Sequence, residues 1–423
     1  MPFAPATRAF LTAALVHLAV AAAAVMLGTR VEAFTGRWDL VVWLLLLGFI
    51  GFTTAGFALH LFPTLSRRSP PPSWAGSISF LLAETGLVLG AAGLAGPPAP
   101  LSPGGIFSLG ALLVLAGDTV ILAVFLRALA EPRLPSRGPE PRPGDAVTVP
   151  LFLGSWIAAV GSGGLFFLSG RTAGPGFGWW IAAVHLFVLG HAVLLIVAVS
   201  LRLLPRSLDA DVGRPTVALL AALAGAGALL VPLGMLRIPR SASPLLGLLA
   251  APEAAFTVLF LAVILVLLHR ARHPRPEVGI PVAASLFMVV GGFLGLSMAE
   301  ASTDTLVVPH AVLNLFGFVG LFVLFMSFLM MAPFQRISHL WTRRMLGILS
   351  MVWAIGVVGM AVTLVPGTPV VAGWVAPLAG ALLVGVTLAW GAGTIPTLYP
   401  ALNPLPGLSS REIRALRDRW EHR

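Results

Sequence analysis

Hydrophobic residues along the chain fall into long runs that are separated by short polar or proline-rich segments. Each run contains close to the twenty or so apolar residues that a helix needs to cross a hydrocarbon core about 30 Å thick. A helix also satisfies every backbone amide within its own segment, as lipid requires. The pattern predicts an all-α integral membrane protein with twelve transmembrane helices, near residues 8–27, 40–62, 75–96, 103–126, 150–170, 178–204, 215–236, 244–268, 279–298, 306–332, 345–365 and 374–397.

The composition agrees with this pattern and excludes a large soluble domain. Hydrophobic residues make up 58% of the 423 positions and charged residues only 10%, and the mean hydropathy is +0.97. A soluble domain carries about 25% charged residues. The formal net charge of +10 comes from arginines in short loops between the apolar runs, so it indicates membrane topology rather than nucleic-acid binding. The expected partners are the lipid bilayer and a redox or membrane-protein partner.

Arginine placement predicts how the chain is oriented in the membrane. With the N-terminus inside, 21 of the 26 basic residues fall in inner loops or tails, and the other five are Arg30, Arg37, Arg171, Arg237 and Arg240. Cytoplasmic loops carry the excess of basic residues in membrane proteins. Both termini are therefore expected in the cytoplasm, and the protein in the cell (inner, cytoplasmic) membrane. The segment from Ser409 onward forms a basic cytoplasmic C-terminal tail.

An internal repeat relates the second, sixth and tenth predicted helices. When Gly48, Gly190 and Gly317 are superposed, a proline follows 15, 15 and 16 residues later, at Pro63, Pro205 and Pro333. A fixed internal period is the sequence signature of a repeated structural unit. We therefore predict one integral domain built from three pseudo-repeated four-helix units, at residues 1–145, 146–276 and 277–423, the last including the C-terminal tail.

Three four-helix units, each with a histidine-containing second helix, resemble subunit I of the haem-copper oxidases and their smaller relatives, including the NnrS family. The segments VVWLLLLGFIGFTTAGFALHLFPTLSRR and LVVPHAVLNLFGF carry the closest local similarity. The resemblance implies that the second helix of each unit lines a pore that holds the cofactors, with histidines near its outer end. Haem b is the implied cofactor, copper is an alternative, and a relative without any cofactor stays open.

Histidines inside the predicted spans are the candidate ligands, because an ionisable side chain in lipid is costly unless it is paired or bound. Imidazole is a common axial ligand of haem iron and a good copper ligand. His310 and His185 are the leading cofactor-binding residues, and Asn314, one turn after His310, is placed to orient it. His191 and His17 are further metal-ligand candidates, although His191 lies about 120° around the helix from His185.

The membrane-embedded carboxylates suggest a second kind of chemistry. Glu84, Asp118 and Glu253 lie within predicted spans. They either form a proton path or pair with the histidines.

The resemblance also shows which oxidase ligands are missing. It places the low-spin haem ligands near Val41 or Trp43 and at Val312, none of which binds iron. The seventh predicted helix contains no histidine for the standard binuclear copper site, and the single tyrosine, Tyr399, lies in the last inner segment. The chain is therefore not expected to be a functional terminal oxidase, and whether it has another enzymatic activity is left open.

The leading hypothesis is an oxidase-like membrane protein that lacks the full ligand set. It would bind a haem or metal near the outer side, in a redox, sensing or assembly role. The alternatives are a proton-coupled secondary transporter and a cofactor-free structural relative. The large twelve-helix transporter class divides six plus six and has an acidic-basic motif between helices 2 and 3, whereas here that loop is PTLSRRSPPPS, without an acid.

Overall fold

The computed structural model describes residues 4–28, 38–96, 103–132, 142–171, 177–238, 243–271, 279–301, 305–327, 343–365 and 369–399. Regular structure in these ranges is helical throughout, and twelve of the helices are long and apolar enough to cross a membrane. The predicted all-α architecture with twelve spans is thus confirmed. Pro333 and the basic tail from Ser409 lie outside the described residues.

The twelve helices are numbered α1 to α12 in chain order. Nine of them are regular over their whole length: α1 Pro5–Gly28, α3 Ser73–Ala95, α4 Pro103–Ala130, α5 Pro143–Arg171, α7 Arg214–Arg237, α8 Ser243–Arg270, α9 Gly279–Ala301, α11 Arg343–Thr363 and α12 Pro369–Leu398. The other three change from α to π geometry and back: α2 (Trp38–Trp43, Leu44–Gly51, Phe52–Ser66), α6 (Phe177–His185, Leu186–Val193, Leu194–Leu208) and α10 (Val307–Val312, Leu313–Gly320, continuing to Ser327).

Helices α2, α6 and α10 form the centre of the bundle. In their most apolar stretches 83%, 72% and 72% of residues are buried, against at most 56% in any other span within the described ranges. The π-helical part of α2 contacts those of both α6 and α10. The remaining helices surround this triad and expose leucine, valine and isoleucine side chains, as the lipid-facing surface of a membrane bundle does.

The π-helical segments occur at the same register in the three central helices. Each is eight residues long, and Gly48, Gly190 and Gly317 are the fifth residue of their segments. Long π-helical stretches are rare and concentrate at functional sites. All three lie at the positions that the sequence repeat superposes. The repeat therefore extends to the backbone geometry.

The same glycines locate the first helix of each predicted unit. A Cβ atom built on Gly48 would lie 2.8 Å from the side chain of His17 in α1. The corresponding contacts are 2.6 Å from Gly190 to Ala158 in α5 and 2.7 Å from Gly317 to Phe287 in α9. In each case the preceding helix packs on the glycine of a central helix. This recurrence every four helices supports a four-helix unit, while the unit boundaries themselves stay a prediction.

Helices α3 and α4 approach each other through a glycine seam, which we define as Gly86, Gly90 and Gly110. A Cβ atom on Gly86 would lie 2.5 Å from the carbonyl oxygen of Gly110 and 2.7 Å from the amide nitrogen of Val114. One on Gly110 would lie 2.6 Å from the carbonyl oxygen of Gly86. Small residues four positions apart let membrane helices pack backbone to backbone.

The loop predicted between Arg127 and Val149 is shorter in the structure than in the prediction. Helix α4 continues to Ala130, and α5 already begins at Pro143. Asp145, in the first turn of α5, accepts hydrogen bonds of 2.8 and 2.6 Å from the guanidinium of Arg206 at the end of α6. Proline in the first turn and a carboxylate near the helix N-terminus both favour an early start, and a hydropathy pattern does not register them.

Candidate functional site

The structure brings His185 and His310 together. His185 is the last residue before the π-helical segment of α6, and His310 lies three residues before that of α10. Their imidazole rings are nearly parallel, with an interplanar angle of 21° and a centroid separation of 6.1 Å. The two histidines that the sequence selected from different units therefore form one pair near the N-terminal ends of two central helices.

Main-chain carbonyls hold both rings through their Nδ1 atoms. His185 Nδ1 lies 2.9 Å from the carbonyl oxygen of Ile181, and His310 Nδ1 lies 2.7 Å from that of Gly291 in α9. A carbonyl oxygen only accepts hydrogen bonds, so each neutral ring carries its proton on Nδ1. No hydrogen-bond partner contacts either Nε2 atom within the described residues, and both Nε2 lone pairs are uncommitted.

Asn314 and two glycines of α9 surround His310. The Asn314 amide donates to the His310 carbonyl oxygen at 2.9 Å and lies 3.3 Å from His310 Nδ1. A Cβ atom on Gly295 would lie 2.8 Å from His310 Cε1, and one on Gly291 would lie 2.5 Å from the Asn314 amide nitrogen. The glycine face of α9 thus makes room for His310 and Asn314. It also supplies the Gly291 carbonyl that accepts the hydrogen bond from His310 Nδ1. Gly291 and Gly295, four residues apart, were a signal that the sequence analysis missed.

His191 lies in a different environment from the histidine pair. It is fully buried, with Nδ1 3.1 Å from the carbonyl oxygen of Ser155 and Nε2 2.8 Å from Thr54 Oγ1 of α2. Its ring also makes an edge contact with Trp156 at 4.9 Å between centroids. Both nitrogens are engaged by protein groups, so His191 has no free donor atom for the metal role predicted for it.

His17 pairs with a carboxylate instead of joining the other histidines. Its Nε2 lies 3.4 Å from Oε1 of Glu84 in α3. Among the described residues, no three histidine, aspartate or glutamate side chains cluster closely enough to hold a metal ion. Pairing with a histidine is one of the two roles predicted for Glu84, the other being a proton path.

The other two carboxylates lie apart from that pair. The carboxylate of Glu253 in α8 packs against Gly227 of α7, with its Oε2 atom buried and without a hydrogen-bond partner among the residues that the structure describes. Asp118 lies on α4, next to Gly117, which packs on Ser79 and Ala83 of α3. No ion pair or hydrogen bond joins the three carboxylates within the described part of the chain. A proton path through them stays a prediction.

An aromatic cluster occupies one of the positions where the resemblance placed a haem ligand. Trp43 is fully buried, and its indole Nε1 donates to the carbonyl oxygen of Leu87 at 3.0 Å. Its ring centroid lies 5.0 Å from Phe107, 5.3 Å from Phe166 and 6.4 Å from Trp180. In the sequence Trp43 was expected only as a residue that cannot bind iron at this position, and the packing of α4, α5 and α6 around it was not predicted.

Comparisons with known proteins give a structural match. No protein-family model and no curated protein matches the sequence. A solved cryo-EM structure of a haem-copper terminal oxidase dimer is similar to this chain with a TM-score of 0.66 and 13% sequence identity, over 98% of this chain and 90% of that one. At this identity the match concerns the fold. Its near-complete coverage shows that this chain has a fold like that of haem-copper oxidase subunit I.

Proposed function

We propose that this protein is an oxidase-like membrane protein in which His185 and His310 hold one b-type haem without the machinery of a terminal oxidase. The single observation that carries the proposal is the pair of nearly parallel imidazoles, 6.1 Å apart between centroids, whose Nε2 atoms have no hydrogen-bond partner among the described residues. The role would be electron transfer, redox sensing or assembly.

The donor set fits a shared metal centre. A metal–imidazole bond is about 2.0–2.1 Å, so two nitrogens on one ion are at most about 4 Å apart and their ring centres at most roughly 6 Å apart. The separation of 6.1 Å agrees with this value. Protein ligands that bind a metal through one imidazole nitrogen usually donate the other N–H to a carbonyl or carboxylate. His185 and His310 both do so, through Ile181 and Gly291.

Each residue would have a defined task at such a site. The two imidazoles would bind, and the carbonyls of Ile181 and Gly291 would fix the tautomer and ring orientation. Asn314 would hold the main chain of His310. When bound, a haem iron would supply one-electron redox chemistry. Copper also accepts imidazole ligands, but two histidines fall short of the three that the standard copper site of the family requires.

The membrane location and orientation belong to the same proposal. The arginine distribution supports the cytoplasmic membrane, with both termini inside and the histidine pair toward the outer side. A reporter fused at Gly174, between α5 and α6, should report the outer compartment, and one fused after Arg423 the cytoplasm. A cytoplasmic signal at Gly174 would mean that the arginine rule had been applied with the wrong span count.

An optical and a gas-consumption experiment on the purified protein test this function together. We expect a reduced-minus-oxidised spectrum of a b-type haem and no consumption of oxygen or nitric oxide with artificial electron donors. Val41, Trp43 and Val312 cannot bind the iron of the second haem that an oxidase needs, and turnover should therefore be absent.

The two readouts separate the competing functions. A redox spectrum without turnover supports the proposal. Turnover that persists after contaminating oxidases are removed contradicts the ligand assignment. A protein that never takes up haem supports one of the alternatives, either a secondary transporter with the His17–Glu84 pair as its candidate coupling site or a cofactor-free relative.

A further inference from the structure

Three arginines lie at the membrane boundary where α1 and α3 begin and α2 ends. Arg8 is in the first turn of α1, and Arg67 and Arg68 immediately follow α2. Helices α1 and α3 meet at this boundary, because a Cβ atom on Gly76 of α3 would lie 2.7 Å from the side chain of Ala6 in α1. We call the three side chains Arg8, Arg67 and Arg68 the arginine corner.

The arginine corner has no carboxylate partner within the described part of the chain. No aspartate or glutamate there forms an ion pair with any of its three guanidinium groups. Arg67 is exposed, and the Nε atoms of Arg8 and Arg68 are buried without a hydrogen-bond partner among the same residues. The guanidinium of Arg8 lies 5.5 Å from the centroid of the Tyr399 ring, a contact that uses its charge but not its N–H donors. The arginine corner therefore combines positive charge with N–H donors that the protein leaves unsatisfied.

The corresponding boundary at the end of α6 is compensated in charge. Three arginines and three aspartates meet there in ion pairs of 2.6 to 3.6 Å: Arg142, Arg202 and Arg206 with Asp145, Asp209 and Asp211. Their charges sum to zero. Arginines at the end of a central helix are thus balanced by carboxylates in the second unit and are left unbalanced in the first.

Arg67 occupies a backbone conformation that favours glycine. Its φ is 56°, in the left-handed region, and the amides of Arg67 and Arg68 bond back to the carbonyl oxygen of Pro63 to close α2. The equivalent residue after α6 is Asp209, with a φ of 47° and the same closure onto Pro205. Glycine takes this conformation without the steric cost of a Cβ atom. The helix ending does not require a positive charge, so the arginine at position 67 needs a reason outside the backbone.

An exposed tryptophan gives the depth of the arginine corner in the membrane. Trp74, in the first turn of α3, is 57% exposed. Exposed tryptophan side chains concentrate at the level of the lipid headgroups. Arg67 and Arg68 precede Trp74 by only a few residues, on the side away from the hydrocarbon core, and so lie at the depth of the lipid phosphates.

We infer that the arginine corner binds the phosphate group of an anionic phospholipid. The planar guanidinium group makes paired hydrogen bonds to phosphate oxygens, and basic side chains at the membrane surface attract anionic lipids. The lipid would supply the acceptors and the negative charge that the described residues do not. The site lies at the opposite end of the bundle from His185 and His310 and does not depend on whether they bind a haem.

Native mass spectrometry of the full-length protein tests this inference. The purified protein is equilibrated with equimolar phosphatidylglycerol and phosphatidylcholine that have the same acyl chains, and the ratio of the two bound lipids is measured. We expect the wild type to prefer phosphatidylglycerol. Each arginine near an anionic surface strengthens binding roughly fivefold, so the double variant Arg67→Gln/Arg68→Gln should lower the preference roughly 25-fold. Arg67→Gly should lower it roughly fivefold, with a thermal midpoint no lower than that of the wild type, because glycine suits the backbone there.

Arg214→Gln is the matched control, since Arg214 is an exposed arginine at the start of α7 without an ion pair among the described residues, and its preference should equal that of the wild type. No lipid preference in the wild type, or an unchanged one in the double variant, would overturn the site. An equal loss in Arg214→Gln would mean general charge attraction and overturn the assignment to the arginine corner. Displacement of the bound lipid by inorganic phosphate would overturn the lipid as the ligand. If the double variant fails to fold, Arg67→Gly decides the test alone.

Discussion

Purified His310→Ala protein is expected to contain little or no haem after reconstitution, whereas the wild type takes up one b-type haem per chain. Loss of a hydrogen bond that only supports a ligand lowers metal affinity by roughly 10–100-fold, and loss of the ligand itself should cost more. His310 is held by the Gly291 carbonyl and by Asn314, and its removal would leave His185 as the one imidazole of the pair. The measurement is the Soret absorbance per mole of protein.

Two further variants make this result specific. His185→Ala should also lose haem, because its ring faces that of His310 at 6.1 Å between centroids. His60→Ala is the matched control, since His60 lies near the C-terminal end of α2 and outside the pair, and it should retain the wild-type Soret band. Equal haem content in wild type and His310→Ala would rule out His310 as a ligand.

The glycine seam between α3 and α4 leads to the second large effect. Gly86→Val should lower the free energy of unfolding of the purified protein by about 3 kcal/mol, the upper end of what overpacking costs. The added Cβ would meet the carbonyl oxygen of Gly110 at 2.5 Å and the amide nitrogen of Val114 at 2.7 Å. Both are backbone atoms, so the two helices must separate for the side chain to fit. The measurement is the unfolding midpoint in detergent.

The control for this prediction lies in a comparable helix. A Cβ atom on Gly225, in the middle of α7, would meet no atom within 4 Å among the described residues. Gly225→Val therefore changes the same residue type in a transmembrane helix without creating a clash, and its midpoint should stay close to that of the wild type. If both variants melt at the same temperature, close packing of the α3–α4 seam does not limit stability.

Much of the fold could be predicted because each span must be apolar and must satisfy its own backbone hydrogen bonds in lipid. Length and hydropathy placed all twelve helices, and the repeat of Gly48, Gly190 and Gly317 selected the three that are most buried. The packing at those glycines follows the same repeat, because each one receives a side chain of the preceding helix. Periodic patterns of this kind are independent of distant parts of the chain.

The candidate site could be predicted only in part. Two histidines in the predicted outer halves of related helices suggested the pair His185 and His310. The acceptors on Ile181 and Gly291 are main-chain atoms, whose position depends on how the helices cross and not on which side chains they carry. For the same reason the closure of aromatic rings around Trp43 was not foreseen.

The most direct test of the central proposal, that His185 and His310 bind the same iron, is low-temperature electron paramagnetic resonance of the ferric, haem-loaded protein. Two imidazoles on one iron give a six-coordinate, low-spin signal. The structure predicts that signal for the wild type and its replacement by a five-coordinate, high-spin signal in any His185→Ala protein that keeps haem. A wild-type spectrum that is high-spin, or a low-spin spectrum unchanged in His185→Ala, would contradict the shared site.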